Sequence, residues 1–178
     1  VPNYERVCQT GFTGIIEQVE AEMAKLDRAD PASIAKWQYY EATLITYRAA
    51  IAYAHRYEKL AADMAAKETN PVRKAELMVI SKNCGHVPEF GARNFYEACQ
   101  SFWFVHNILN IESNGHSVSP GPWDRFMWAF YENDPTITPD FAQELVDAIF
   151  LKMADCNKVR DDLSARAFAG YQLFEMVA

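Results

Sequence analysis

Asn94-Phe95-Tyr96-Glu97-Ala98-Cys99-Gln100-Ser101-Phe102-Trp103-Phe104-Val105-His106-Asn107-Ile108-Leu109-Asn110-Ile111 runs directly into Glu112-Ser113-Asn114-Gly115-His116-Ser117-Val118-Ser119-Pro120-Gly121. The first part places apolar side chains on nearly every helical face, which predicts a helix over 94–111 that is buried all round. The second part is polar and carries glycine, so the chain breaks abruptly out of that helix into a loop. Polar groups delivered into an interior need either partners or a ligand.

Working outward, helix signals of one repeated type dominate. Asp30-Pro31, Asn70-Pro71 and Thr138-Pro139 each set a capping residue before a proline suited to the first helical position. Ahead of the first, Phe12, Ile15, Ile16, Val19, Met23 and Leu26 recur at helical spacing, which predicts an amphipathic helix ending near Asp27. From Pro31 to about Lys67 there is no Gly or Pro, and Ile34, Trp37, Leu44, Ile51, Tyr57, Leu60 and Met64 keep a helical register. Such a helix would be on the order of 50 Å long and implies a large body to lie against. A third helix is expected from Pro71 to about Asn83, followed by the irregular Gly85-His86-Val87-Pro88-Glu89-Phe90-Gly91. Beyond the polar loop, a short aromatic helix over 124–131, a long one from Pro139 to about Asp161 and a last one from Ser164 to Met176 complete a mainly α reading. Nothing resembling a linker divides 1–178, so the chain reads as part of a single domain without an internal boundary.

The 178 residues are half hydrophobic, with 17 Lys and Arg against 24 Asp and Glu. No block of like charge suggests nucleic acid, and no apolar run reaches the roughly 18 residues that would span a bilayer. There is no initiator Met and no signal-peptide pattern, and the chain opens at Val1-Pro2-Asn3-Tyr4 as if cut from something larger. Cys8, Cys84, Cys99 and Cys156 show no CxxC spacing. That predicts no metal site and no disulfide framework, and suits reduced thiols in a cytoplasmic protein. Cys99 and Cys156 lie at periodic helical positions, where a free cysteine behaves as a small hydrophobe.

Between Gly115 and the Pro120-Gly121 stop stand an imidazole and two hydroxyls able to hydrogen-bond an alcohol, carboxylate or sulfonate. Asp124 behind them can orient a hydroxyl or a cationic amine. The alternative is that His116 and the serines satisfy backbone groups where the helix ends, and that Asp124 caps the helix through Phe130. His106 reads as a satisfied core histidine, and His55 and His86 carry no functional signal.

Ala92-Arg93-Asn94-Phe95-Tyr96-Glu97-Ala98, Phe102-Trp103-Phe104-Val105-His106, and Ile111 to Gly121 with Asp124 behind, resemble the glycyl radical enzymes, the pyruvate formate-lyase-like family. Its diol dehydratase, choline lyase, isethionate sulfite-lyase and hydroxyproline dehydratase branches are the most similar. Gly11-Phe12-Thr13-Gly14-Ile15-Ile16-Glu17, Asn157-Lys158-Val159-Arg160-Asp161 and Ala167-Phe168-Ala169-Gly170-Tyr171 extend the resemblance over nearly the whole chain. It implies a helical portion of the first half of a ten-stranded α/β barrel in a polypeptide several times longer.

The resemblance also implies a lyase or dehydratase that eliminates water, amine or sulfite from a diol, choline, isethionate or hydroxyproline type of substrate. A protein glycyl radical would be installed by an S-adenosylmethionine iron-sulfur activase and passed to a thiyl cysteine. Partners would be the activase, the rest of the polypeptide and a second copy in a homodimer, in the cytoplasm or inside a bacterial microcompartment. His116, Ser117, Ser119 and Asp124 then line the substrate pocket. Neither radical carrier is identifiable here, so no residue is catalytic and the chain by itself is expected to be inactive.

Arg166 to Tyr171 echoes the family's glycyl motif but carries one residue too many between Arg and Gly, and Cys156 lacks the Cys-Val-Glu setting. After Pro120-Gly121 the family pattern is Arg-Phe-Asp-Gln-Tyr, whereas this chain reads Pro122-Trp123-Asp124-Arg125-Phe126. A positive charge has crossed the aspartate, and a larger aromatic stands beside it. A reading from a different class is a non-catalytic helical interaction or scaffold module, whose exposed aromatic patches would demand a partner.

Overall fold

The computed structural model describes residues 2–113 and 118–156, and every regular element among them is a helix. They are α1 (Tyr4–Met23), α2 (Pro31–Lys67), α3 (Pro71–Cys84), α4 (Phe95–Glu112), α5 (Trp123–Glu132) and α6 (Pro139–Asp155). The expected helix over 164–176, the end of the expected 139–161 helix and the Asn157–Asp161 and Ala167–Tyr171 blocks lie outside the described residues. No described helix is long and apolar enough to cross a membrane. The barrel implied by the family resemblance has no strand among the described residues.

The three Asx/Thr-Pro signals mark helix starts. Asp30, Asn70 and Thr138 are the caps of α2, α3 and α6, their side chains accepting from Ala32, from Val72 and Arg73, and from Phe141, with proline opening each first turn. Each cap satisfies amides that have no partner inside the helix.

By contacts the chain divides into two compact units, one formed by Arg6–Ala92 and the other by residues up to Glu5 and from Arg93 on. In the first, α2 and α3 pack antiparallel-fashion across a short turn at 68–70, and Ser81 Oγ donates to the Glu58 carbonyl at 3.0 Å. Phe12 of α1 stacks on Tyr47 of α2 at 4.9 Å.

The buried face of α2 is not the one its large residues suggest. Ala50, Ala54, Ala61 and Ala65 with Leu44 are buried, whereas Ile34, Tyr57, Leu60 and Met64 are exposed in this chain. Small residues let neighbouring backbones approach closely.

The start of α1 also departs from expectation, because the helix begins at Tyr4 and breaks at Gly11, where φ is 72° and ψ 168°. That conformation suits glycine. The break is filled by the segment after α3. Phe12 and Thr13 donate to the carbonyls of Pro88 and Glu89 at 2.8 and 2.9 Å, and Ala92 donates to the Cys8 carbonyl at 2.8 Å. Backbone groups orphaned on both sides of the break thus find partners in one stretch. A Cβ on Gly11 would overlap the backbone of Glu89 and Phe90, and one on Gly91 would overlap the Gln9 carbonyl.

The second unit is built on α4. Asn94 caps it, accepting from Glu97 N at 2.9 Å, and Asp134 accepts from Phe95 N at 3.1 Å. Phe95, Ala98, Cys99, Phe102 and Phe104 are buried, but so are Glu97, Ser101 and His106, while Ile111 is 65% exposed. The expectation of a helix buried on every side therefore fails in this chain. Its apolar pattern is broader than the surface that α5 and α6 cover.

Candidate functional site

The loop singled out by sequence leaves the C-terminal end of α4. Asn114, Gly115, His116 and Ser117 lie outside the described residues; the chain is described again from Val118. Ser119 is half-buried and its Oγ accepts from Gly121 N at 3.3 Å, a local turn contact. Pro120 is buried and Gly121 has φ 70°, so the chain turns sharply before α5. The cap position of α5 is Pro122, which offers no side-chain cap. Asp124 is therefore not the N-cap that its position suggested: it lies exposed in the first turn, where its charge suits the helix N-terminus. Ser119 and Asp124 stand at the two ends of this turn.

Trp123, between them in the chain, points inward. Its ring meets Phe102 edge-on at 5.9 Å, and its Nε1 is buried without a hydrogen-bond partner. A buried N–H left unpaired costs about 1–3 kcal/mol. Ser101 Oγ is in the same position.

The second unit has a buried polar line. The Tyr4 hydroxyl is 2.9 Å from His106 Nδ1. Phe102 stacks on the His106 ring at 5.4 Å and lies 4.8 Å from Tyr4. Burial pushes the His106 pKa down to about 4 and the Tyr4 pKa up, so both are neutral near pH 7. His106 is thus a core histidine with a partner. Glu97, 1% exposed, accepts from Arg93 N at 2.8 Å and from the Arg93 guanidinium. Lys152 of α6 lies 5.1 Å over the Trp103 ring.

The cysteines show no sign of activation. Cys8, Cys84 and Cys99 are buried and Cys156 is half-buried, all as free thiols. Burial, then the Glu58 charge, raises Cys84 to about 11, and burial, then Asp155, raises Cys156. Such thiols are poor nucleophiles at neutral pH. Among the described residues no group of three His, Cys, Asp or Glu is placed to hold a metal.

Sequence reasoning passed over one cluster. His55 contacts Glu58 and Glu89 with its two ring nitrogens, at 2.6 and 2.7 Å. The His55-x-x-Glu58 spacing was legible as a helical pair, but Glu89, 34 residues on, becomes its neighbour only through the turn after α3.

A sequence model of the pyruvate formate lyase-like family matches residues 1–178. The chain belongs to that family. Among its solved relatives, the glycerol-bound B12-independent glycerol dehydratase of Clostridium butyricum is 47% identical, with a TM-score of 0.88 over 92% of this chain and 21% of its own. A structure concerned with 1,2-propanediol dehydration in Roseburia inulinivorans is also 47% identical, with a TM-score of 0.92 over 97% of this chain and 22% of its own. An isethionate sulfite-lyase of Oleidesulfovibrio alaskensis is 41% identical over 99% of this chain and 22% of its length. The chain of this glycyl radical enzyme family member thus spans about a fifth of the relatives it matches.

Proposed function

We propose that this chain supplies one wall of the substrate pocket in a glycyl radical lyase that dehydrates a small vicinal diol. The carrying observation is the 47% identity to proteins described by glycerol and 1,2-propanediol dehydration, over 92% and 97% of the chain. We read 1–178 as part of one domain with the rest of the polypeptide, whose barrel these helices would cover. The complete protein would be a cytoplasmic homodimer, free or within a microcompartment.

In this reading His116, Ser117, Ser119 and Asp124 hold and orient the substrate. The imidazole and the two hydroxyls exchange hydrogen bonds with the diol oxygens, and the Asp124 carboxylate accepts from a hydroxyl and fixes which carbon is presented. Trp123 offers its unpaired N–H and a wide ring to the same wall. The radical chemistry would come from a protein glycyl radical, installed by a radical S-adenosylmethionine iron-sulfur activase and relayed to a thiyl cysteine. Both carriers belong to the rest of the polypeptide, since the buried Cys8, Cys84 and Cys99 suit packing.

Sulfonate cleavage is a second reading, favoured by the 41% identity to an isethionate sulfite-lyase and by Arg125 beside Asp124. Anaerobic assays of the activated complete polypeptide on glycerol, 1,2-propanediol and isethionate separate the two. The diol reading expects aldehyde from the diols and a loss in kcat/KM of at least about tenfold for Asp124→Asn, one lost charge-assisted hydrogen bond. Sulfite release from isethionate with inert diols would replace it by the second reading. No turnover of any small polar substrate by activated protein would favour a scaffold role.

A further inference from the structure

The segment that fills the break in α1 is held from its other side by His55. Nδ1 of this ring lies 2.6 Å from Glu58 Oε2 on the same helix, and Nε2 lies 2.7 Å from Glu89 Oε2 on the segment. An ionised carboxylate oxygen only accepts, so each contact needs a ring N–H, and a neutral imidazole has just one. Two contacts of charge-assisted length to two carboxylates therefore demand the imidazolium. Room for this arrangement depends on a glycine, because a Cβ on Gly85 would come 2.5 Å from Glu58 Oε1.

We propose that His55, Glu58 and Glu89 form a protonation-dependent clip that holds the 85–92 segment in the break of α1. Glu58 orients the ring and keeps it charged, while Glu89 is the contact that crosses from α2 to the segment. One residue thereby does two jobs: the Glu89 carboxylate accepts a hydrogen bond from the His55 ring, and its backbone carbonyl accepts from Thr13 N of α1 at 2.9 Å. His86 closes the segment on itself, its Nε2 3.0 Å from the Gly91 carbonyl and its ring stacked on Phe90 at 5.4 Å.

The titratable groups around the ring are Glu58 on α2, Glu89 on the segment and, through Glu58, the Cys84 thiol at the end of α3. Hydrogen bonds to Glu58 and then to Glu89 raise the His55 pKa against the smaller opposing effect of burial. A histidine whose pKa is raised by folding contributes stability that is complete below its unfolded value and disappears as pH rises through the folded one. The clip is therefore closed below the folded His55 pKa and opens as pH rises through it. The segment it holds runs on in sequence into Arg93 and α4.

The test is amide hydrogen exchange at Phe12, Thr13 and Ala92 in the complete polypeptide, comparing wild type with His55→Gln and Glu89→Gln at matched pH. Both variants should exchange several-fold faster than wild type below the folded His55 pKa, with the ratio falling to one well above it. A ratio of one at every pH, or a raised ratio that ignores pH, would overturn the proposal. The ring's own nitrogen shifts provide a readout that does not depend on either variant folding. They should report an imidazolium that persists to higher pH than an ordinary histidine, and a ring that is neutral wherever the segment is protected contradicts the clip.

Discussion

α2 and α4 solve burial in opposite ways. The 37-residue α2 buries alanines and leaves Tyr57, Leu60 and Met64 exposed, whereas the 18-residue α4 buries three phenylalanines together with a glutamate, a serine and a histidine. The alanine face permits a close partner inside its own unit and leaves the large side chains exposed in this chain. The aromatic face makes a core of its own, and of the polar groups within it His106 is partnered by Tyr4 and Glu97 by Arg93, while Ser101 Oγ has no partner. Side-chain size on a helix thus does not reveal which face is covered locally.

The largest effect that would sharpen this contrast is Phe102→Ala. The side chain is fully buried against Tyr4, His106, Trp123 and Phe126, so unfolding measurements on the complete polypeptide should show a loss of about 3–5 kcal/mol. Leu60→Ala is the counterpart on α2. With 51% of Leu60 exposed in this chain, a change within about 0.5 kcal/mol would mean that the face stays bare. We expect about 2 kcal/mol in the complete polypeptide, where a further surface covers it. A smaller step, about 1 kcal/mol, is expected for Tyr4→Phe, which leaves His106 Nδ1 without its partner.

Acid should weaken the α4 unit in a defined window. A histidine whose pKa is lowered by folding to about 4 stays neutral while the unfolded chain takes up protons, so stability falls from about pH 6.5 down to about 4 and not further through this group. Denaturant titrations should show that slope, and His106→Gln should flatten it. Asp134 adds a slope of the same sign at lower pH. Burial would raise its pKa, but hydrogen bonds from the Thr136 hydroxyl and from the backbone of Thr136 and Phe95 outweigh it and hold it low. Its contribution is present above the unfolded value and is lost as pH falls through the folded one.

Much of this was legible because caps are local. An Asx or Thr before proline fixes a helix start through contacts two or three residues away, and α2, α3 and α6 begin where those pairs stand. The Gly11 break was hidden, since what stabilises it is a segment about 80 residues further on. Which face of α2 is covered within its unit was hidden for the same reason, because α3 packs against it. At the candidate site, Ser119 and Asp124 stand at the two ends of the turn into α5, but Pro122 holds the cap position that Asp124's sequence neighbourhood suggested. The orphaned Nε1 of Trp123 could not be foreseen, because nothing in sequence tells whether an indole N–H meets a carbonyl or an empty space.

The central claim, that the 113–124 stretch is a wall of a diol pocket, is tested most directly by a structure of the complete polypeptide with 1,2-propanediol bound. The account predicts substrate hydroxyls within hydrogen-bond distance of the His116 ring and the Asp124 carboxylate. Substrate held entirely by residues outside this chain, with Asp124 still facing solvent, would contradict it.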